Sequence, residues 1–214
     1  MWIKICGARD VASARAVVDA GADALGLNFV ARSKRRVTVD EARVIGDAVR
    51  GLVELVGVVE DCPLEQACEI RQLLGLDRIQ IHVTRSSLDE SMLPDWAYIA
   101  VGLAEPADAE RLVLPVASPV LVDGCVAGKS GGTGVALNWS WVKPLAQRRK
   151  VILAGGLTPN NIGAAISAVA PFGVDVASGV EVPGNPGLKD PDLVVRFVTE
   201  ARAAARRLES TLTQ

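Results

Sequence analysis

From end to end the chain alternates between short segments of strand character and longer segments with helical periodicity. Trp2–Cys6 reads as a strand. Asp10–Ala20 follows as a helix, with Val11, Ala14, Val17 and Val18 on one face and Gly21 as its stop. Ala24–Phe29 is a second strand. Thr38, with Glu41 three residues on, has the pattern of a capping box at the start of the next helix. Further strands are expected over Val53–Val59, Asp77–His82, Trp96–Leu103, Pro119–Asp123, Val151–Ala154 and Gly173–Ala177. Helices are expected over Leu64–Leu74, weakly over Ser87–Leu93, and over Ala107–Leu112 and Trp139–Gln147. Another starts from a Thr158 cap with Pro159 at its first position, and a last one runs from Asp190-Pro191 to about Leu208. Eight strands alternating with about eight helices favour a closed barrel over an open doubly wound sheet. The expected architecture is α/β, a single (β/α)8 TIM barrel over residues 1–214.

Composition fits that architecture and narrows the function. Half of the residues are hydrophobic but only 4% are aromatic. The core must therefore be built from Ala, Val, Leu and Ile, as in a parallel sheet buried on both faces. A net charge of −2 with no basic stripe argues against a nucleic-acid partner. There is no basic-then-apolar leader, and no apolar run approaches the roughly 20 residues that span a bilayer. Cys6, Cys62, Cys68 and Cys125 form no CxxC pair, and His82 is not at ligand spacing from any of them. A reduced, cytoplasmic protein without metal is expected.

In a (β/α)8 barrel the carboxyl ends of all the strands open onto one face, and that face carries the chemistry. Cys6, before Gly7, ends the first strand; Asp123, before Gly124, ends the sixth. A thiol and a carboxylate on one mouth suggest a general acid–base pair. A free cysteine is more commonly an apolar filler, and it is the strand-end position that points to chemistry. After strand seven comes Ala154-Gly155-Gly156-Leu157-Thr158-Pro159, and after strand eight Ala177-Ser178-Gly179-Val180-Glu181. Glycine turns at these two positions suit a phosphate held by backbone N–H groups; two tight turns without a ligand are the plainer reading. The loop containing Gly131-Gly132-Thr133-Gly134 could close over a ligand or be a surface excursion. Arg32, Lys34, Arg35 and Arg36 follow strand two, where a cationic loop could hold a carboxylate or be a solvated charge run. His82, ending strand four, reads as a core histidine with a supporting role.

Taken together, these segments resemble the phosphoribosylanthranilate isomerase family. The matching stretches are Lys4-Ile5-Cys6-Gly7, Gly21 to Gly26, Ser33 to Val37, Val122-Asp123, Gly131 to Gly134, Val151 to Pro159 and Val174 to Glu181. The resemblance implies an Amadori rearrangement of an N-aryl aldosylamine phosphate to an aminodeoxyketose phosphate, without cofactor or metal. It makes Cys6 the general base and Asp123 the general acid. It gives Arg35 the anthranilate carboxylate and Gly155, Gly156, Ser178 and Gly179 the phosphate, with His82 nearby. The partner implied is a small phosphorylated substrate, and the oligomeric state a monomer or homodimer. Three departures fall on the aryl-binding wall. Val83 follows His82 where the family usually has glycine, Val59-Glu60-Asp61 replace an aromatic residue and an asparagine, and Arg36 stands where an aromatic residue is common. A paralogue acting on another small molecule, or a non-catalytic phosphate-ligand binder, are the alternatives. The binder needs neither Cys6 nor Asp123.

Overall fold

A computed structural model gives the arrangement of residues 1–83, 93–110, 112, 118–124 and 137–212. The strands are β1 (Trp2–Cys6), β2 (Ala24–Asn28), β3 (Glu54–Glu60), β4 (Arg78–His82), β5 (Ala97–Leu103), β6 (Val120–Gly124), β7 (Val151–Leu153) and β8 (Gly173–Val176). They close in sequence order into a parallel barrel, with β1 pairing both β2 and β8. Each strand starts and ends within one residue of the sequence expectation, so the barrel reading holds.

The helices are α1 (Val11–Asp19), α2 (Val39–Val49), α3 (Leu64–Leu74), α4 (Pro106–Glu110), α5 (Trp139–Ala146), α6 (Ile162–Val169) and α7 (Pro191–Leu212). The Thr38–Glu41 capping box forms as its spacing predicts. The expected start of α6 needs correction. Thr158 and Pro159 do not open the helix; Asn161 is its N-cap residue and Ile162 its first residue. Thr158 contributes its backbone: its carbonyl accepts from the Asn161 and Ile162 N–H groups, and its own N–H donates to Asn161 Oδ1 at 2.8 Å. An asparagine side chain thus tightens the turn three residues before the helix begins. The weak helix over Ser87–Leu93 lies, apart from Leu93, outside the described residues, as do Cys125 and Gly131-Gly132-Thr133-Gly134.

The period-2 alternation of the strands sorts the side chains. On β1, Ile3 and Ile5 are fully buried in the large cluster shared with the helices. Lys4 and Cys6 point to the other face. There Ala24, Val56, Tyr98, Ala100, Leu121, Ile152 and Ala154 form a separate cluster that fills the barrel. The closed end is fastened by a device the sequence reading missed. Asp23 and Asp77, each just before a strand, accept from the backbone N–H of Ile3 and Leu55, both at 2.7 Å. Arg202 of α7 forks onto the same Asp23, tying the last helix to the first strands.

Candidate active site

The carboxyl-terminal mouth of the barrel holds a cavity of about 550 Å³. Cys6, Arg35, His82, Asp123 and Ser178 all contribute to its wall, joined by Asn28, Gln80, Asp175 and Glu181. Five of the candidate residues read from sequence therefore face one space. Gly155, Gly156 and Gly179 do not line it and stand beside it in the turns after β7 and β8.

Cys6 ends β1 with its thiol almost enclosed, at 7% exposure, yet on the cavity wall. Gly26 of β2 makes the room. A Cβ there would lie 2.8 Å from Cys6 Sγ and 3.1 Å from Lys4 Cε. Burial pushes the thiol up from its ordinary value, and Asp175 adds to this; Lys4 and Lys189 oppose it. The resting group is therefore a thiol, and its anion has the Lys4 ammonium as nearest counter-charge.

Asp123 is half-buried at the end of β6. Gly155, at φ +88°, runs directly against it: a Cβ on Gly155 would lie 2.5 Å from both Asp123 Oδ1 and the Gly124 nitrogen. The two glycine turns also meet one another. A Cβ on Gly179 would lie 1.9 Å from the Leu157 carbonyl oxygen, so the turn after β8 nests in the turn after β7. Ser178 opens a single 3-10 turn, Ser178–Val180, and is exposed to solvent.

Arg35 crosses from the loop after β2 and packs over Gly7, whose φ of +79° and missing side chain leave the space. Its guanidinium is held by Glu181 through two parallel bonds, Nε to Oε1 at 2.7 Å and Nη2 to Oε2 at 2.8 Å. Glu181 Oε1 also accepts from Lys189 Nζ at 2.9 Å and from the Gly187 N–H at 2.8 Å. Burial would raise the Glu181 carboxyl, but Arg35, Lys189 and Gly187 together outweigh it and hold it below the usual carboxylate range. The fork of Arg35 is thus fixed on its Nε–Nη2 side, with the residue on the cavity wall. Sequence reading missed Glu181 and Lys189 as partners of this arginine; only their place in the turn after β8 could have hinted at it.

His82 is neutral. Burial, and next the Lys4 charge, pull it down to about 4. Its Nε2 lies 2.8 Å from Gln80 Nε2, and Gln80 Oε1 accepts from the buried Tyr98 hydroxyl at 3.1 Å. The amide can donate to a neutral ring nitrogen, which leaves the Nδ1–H of His82 as the donor.

The three departures look different in three dimensions. Glu60 does line the cavity, but the Arg32 guanidinium forks onto its carboxylate. Asp61, at φ +42°, is not on the cavity wall. Of these two acidic residues, Glu60 faces the cavity as part of an ion pair and Asp61 lies off its wall. Val83 packs against the helix-side core and Arg36 is exposed, and neither lines the cavity.

Fold and site together define a (β/α)8-barrel protein with a thiol and a carboxyl facing one mouth beside paired glycine turns. The family model described as N-(5'phosphoribosyl)anthranilate (PRA) isomerase matches residues 3–200. The N-(5'-phosphoribosyl)anthranilate isomerase of Roseiflexus castenholzii is 39% identical over 216 residues, covering 96% of this chain and 100% of that protein. The enzyme of the same name from Thermotoga neapolitana is 40% identical over 206 residues, covering 94% of this chain and 98% of that one. Among solved structures, phosphoribosyl anthranilate isomerase from Thermotoga maritima superposes with a TM-score of 0.82 at 32% identity, over 95% of this chain and 99% of that chain. A phosphoribosyl anthranilate isomerase in complex with reduced 1-(o-carboxyphenylamino)-1-deoxyribulose 5-phosphate gives 0.79 at 32% identity, with the same coverage. The chain belongs to the phosphoribosylanthranilate isomerase family. Among the described residues no helix is long and apolar enough to cross a membrane, and no three or more His, Cys, Asp or Glu side chains are grouped so that they could hold a metal ion.

Proposed function

We propose that this chain converts N-(5'-phosphoribosyl)anthranilate to 1-(2-carboxyphenylamino)-1-deoxyribulose 5-phosphate, the isomerase step of tryptophan biosynthesis. One observation carries the reading within the family assignment: Cys6 and Asp123, from β1 and β6 with two strands between them on the shorter way round the barrel, line the same cavity. A phosphate-ligand binder needs neither group.

The proposed reaction starts with Asp123 as a carboxylic acid. Its proton goes to the ribose ring oxygen, the C1–O bond breaks, and the nitrogen lone pair forms a C1=N iminium. The Cys6 thiolate removes the C2 proton. The C–H electrons become the C1=C2 bond, and the C=N pair returns to nitrogen. Loss of the C2 hydroxyl proton and protonation of C1 give the ketone. An iminium acidifies its neighbouring C–H, so a modest base suffices. No cofactor enters these steps. Arg35 would receive the anthranilate carboxylate. The N–H groups of the turns at Gly155-Gly156 and Ser178-Gly179 would receive the phosphate, and His82 would sit beside the sugar as a neutral donor. Residues 1–214 act as one barrel domain, as a monomer or homodimer, and the cytoplasm fits a soluble phosphorylated substrate.

The test is growth without tryptophan of an auxotroph lacking its isomerase, with purified protein assayed on freshly generated phosphoribosylanthranilate. Growth and turnover are expected. Failure of both would leave the paralogue reading standing instead.

A further inference from the structure

The interior of the barrel contains an ion pair that the proposed proton transfers do not use. Lys4 of β1 is fully buried, and its Nζ lies 2.9 Å from Asp175 Oδ1 on β8. The two residues sit directly opposite each other in the register of the adjoining strands. Cys6 is two residues beyond Lys4 on the same face. Its Sγ and Lys4 Cε crowd the same point above Gly26.

A buried pair of this kind is weak evidence for stability. Its desolvation cost commonly matches its attraction, and well-packed apolar residues would serve as well. A lysine enclosed among apolar strands under the mouth therefore calls for another explanation. We propose that Lys4 and Asp175 form a positioning pair for Cys6: the Lys4 ammonium holds the Cys6 thiolate, and Asp175 fixes that ammonium in place. The proposal rests on the reading of Cys6 as general base.

The surroundings single out this pair. Among the described residues, Lys4 from β1, Asp175 from β8, Tyr98 from β5, Arg35 from the loop after β2 and Lys189 from the segment before α7 surround Cys6, and Glu60, His82, Asp123 and Glu181 share the cavity wall with it. Arg35 and Lys189 share a single carboxylate, Glu181, so that cluster keeps one positive charge, held on the Glu181 side of the mouth. Tyr98 is pushed above its ordinary value by burial and stays a neutral phenol. Burial opposes the charge on Lys4, but its acidic neighbours, Asp175 first, more than offset it and keep the ammonium protonated. Lys4 is the cation that stands beside Cys6 on the same face of β1, with its Cε at the same point above Gly26 as the Cys6 sulfur, and Asp175 is its fixed partner.

The experiment reads the thiol without substrate. The rate of iodoacetamide alkylation of the peptide bearing Cys6 is followed by mass spectrometry against pH, in the intact protein. Lys4→Met should slow alkylation at neutral pH by about tenfold or more, as expected when a nearby counter-charge is removed. The rate at the high-pH plateau should be unchanged. Adding Asp175→Asn to Lys4→Met should recover part of the loss, because it removes the carboxylate left facing the thiol. A merely structural role would be worsened by the second substitution, and loosened packing would speed alkylation. Equal or faster alkylation in Lys4→Met, or a double variant no faster than the single, overturns the proposal. If Lys4→Met does not fold, the double variant, which buries no charge, is compared with wild type: slower supports the pair, and equal or faster overturns it. Turnover of phosphoribosylanthranilate by the wild type is scored separately. An inactive wild type with the expected alkylation order sinks the isomerase reading alone. An active wild type with the order reversed sinks the positioning pair alone.

Discussion

Gly155 and Asp123 lie so close that a single added carbon would fill the space between them: a Cβ on Gly155 would be 2.5 Å from Asp123 Oδ1. The turn after β7 therefore serves as a backstop for the candidate acid as well as a flank of the candidate phosphate site. Gly155→Ala should displace the carboxyl and strain a backbone held at φ +88°. A fall in kcat of about tenfold or more is expected, with a stability loss of about 1–3 kcal/mol. Steady-state kinetics and denaturant unfolding of the variant check both parts. An unchanged kcat would mean that Asp123 is not positioned by this contact.

The acid–base pair itself predicts a particular kinetic pattern. General acid and base groups each contribute about 10²–10⁴-fold. Cys6→Ser and Asp123→Asn should each lower kcat by at least about two orders of magnitude and leave KM within a few-fold, since both act in the transition state. Because burial pushes the Cys6 thiol above its ordinary value, kcat/KM of the wild type should still be rising with pH above neutrality. A profile flat from neutral to alkaline pH would remove Cys6 as the base.

Arg35 offers a test of binding. Glu181 fixes one edge of its guanidinium, so loss of the carboxylate should free the arginine to swing. Glu181→Gln is expected to raise KM several-fold with kcat nearly kept. Arg35→Lys should raise KM more, because an ammonium cannot reproduce the planar fork. Equal KM values in wild type and Arg35→Lys would show that the substrate carboxylate binds elsewhere.

The barrel was readable because each strand alternates small apolar segments with glycine, proline or aspartate stops, and each boundary moved by no more than one residue. Cys6 and Asp123 were readable for the same reason: strand ends in a barrel share one face, whatever their separation in sequence. What stayed hidden depends on register and on side-chain reach. Lys4 and Asp175 are 171 positions apart, and only the closure of β1 on β8 puts them opposite each other. The Arg35–Glu181 fork spans 146 positions and depends on Gly7 leaving room. The start of α6 was misplaced because Thr158 and Asn161 are both capping residues, and the choice between them is settled by the turn that Asn161 closes onto Gly156 and Thr158.

His82 predicts a pH dependence of stability. Its folded-state value is pulled down to about 4 from an ordinary 6.5, first by burial. The unfolded chain takes up a proton at this residue before the folded chain does. Stability should therefore be full above about pH 6.5 and fall as pH drops toward 4. His82→Gln should flatten that limb when wild type and variant are unfolded by urea at pH 7.5 and at pH 5. Parallel losses in the two proteins would assign the limb to other groups.

Gly179 gives the sharpest test of the anion site. Here the constraint is space, since a Cβ would come within 1.9 Å of the Leu157 carbonyl oxygen and 3.1 Å of Thr158 Cα. Alanine at this position must push the turn after β8 away from the turn after β7. If both turns donate N–H groups to one phosphate, separating them breaks at least one charge-assisted bond, worth about 1.5–3 kcal/mol. Binding of inorganic phosphate or a phosphorylated ligand should weaken about tenfold or more, measured by calorimetry well below the melting temperature of the variant. Gly21→Ala is the matched control. Gly21 follows α1 on the far end of the barrel, at φ +74° with nothing within 4 Å of its would-be Cβ. That substitution should cost stability through backbone strain alone and leave phosphate affinity intact. Undiminished phosphate binding in Gly179→Ala would mean that the paired glycine turns only pack against each other.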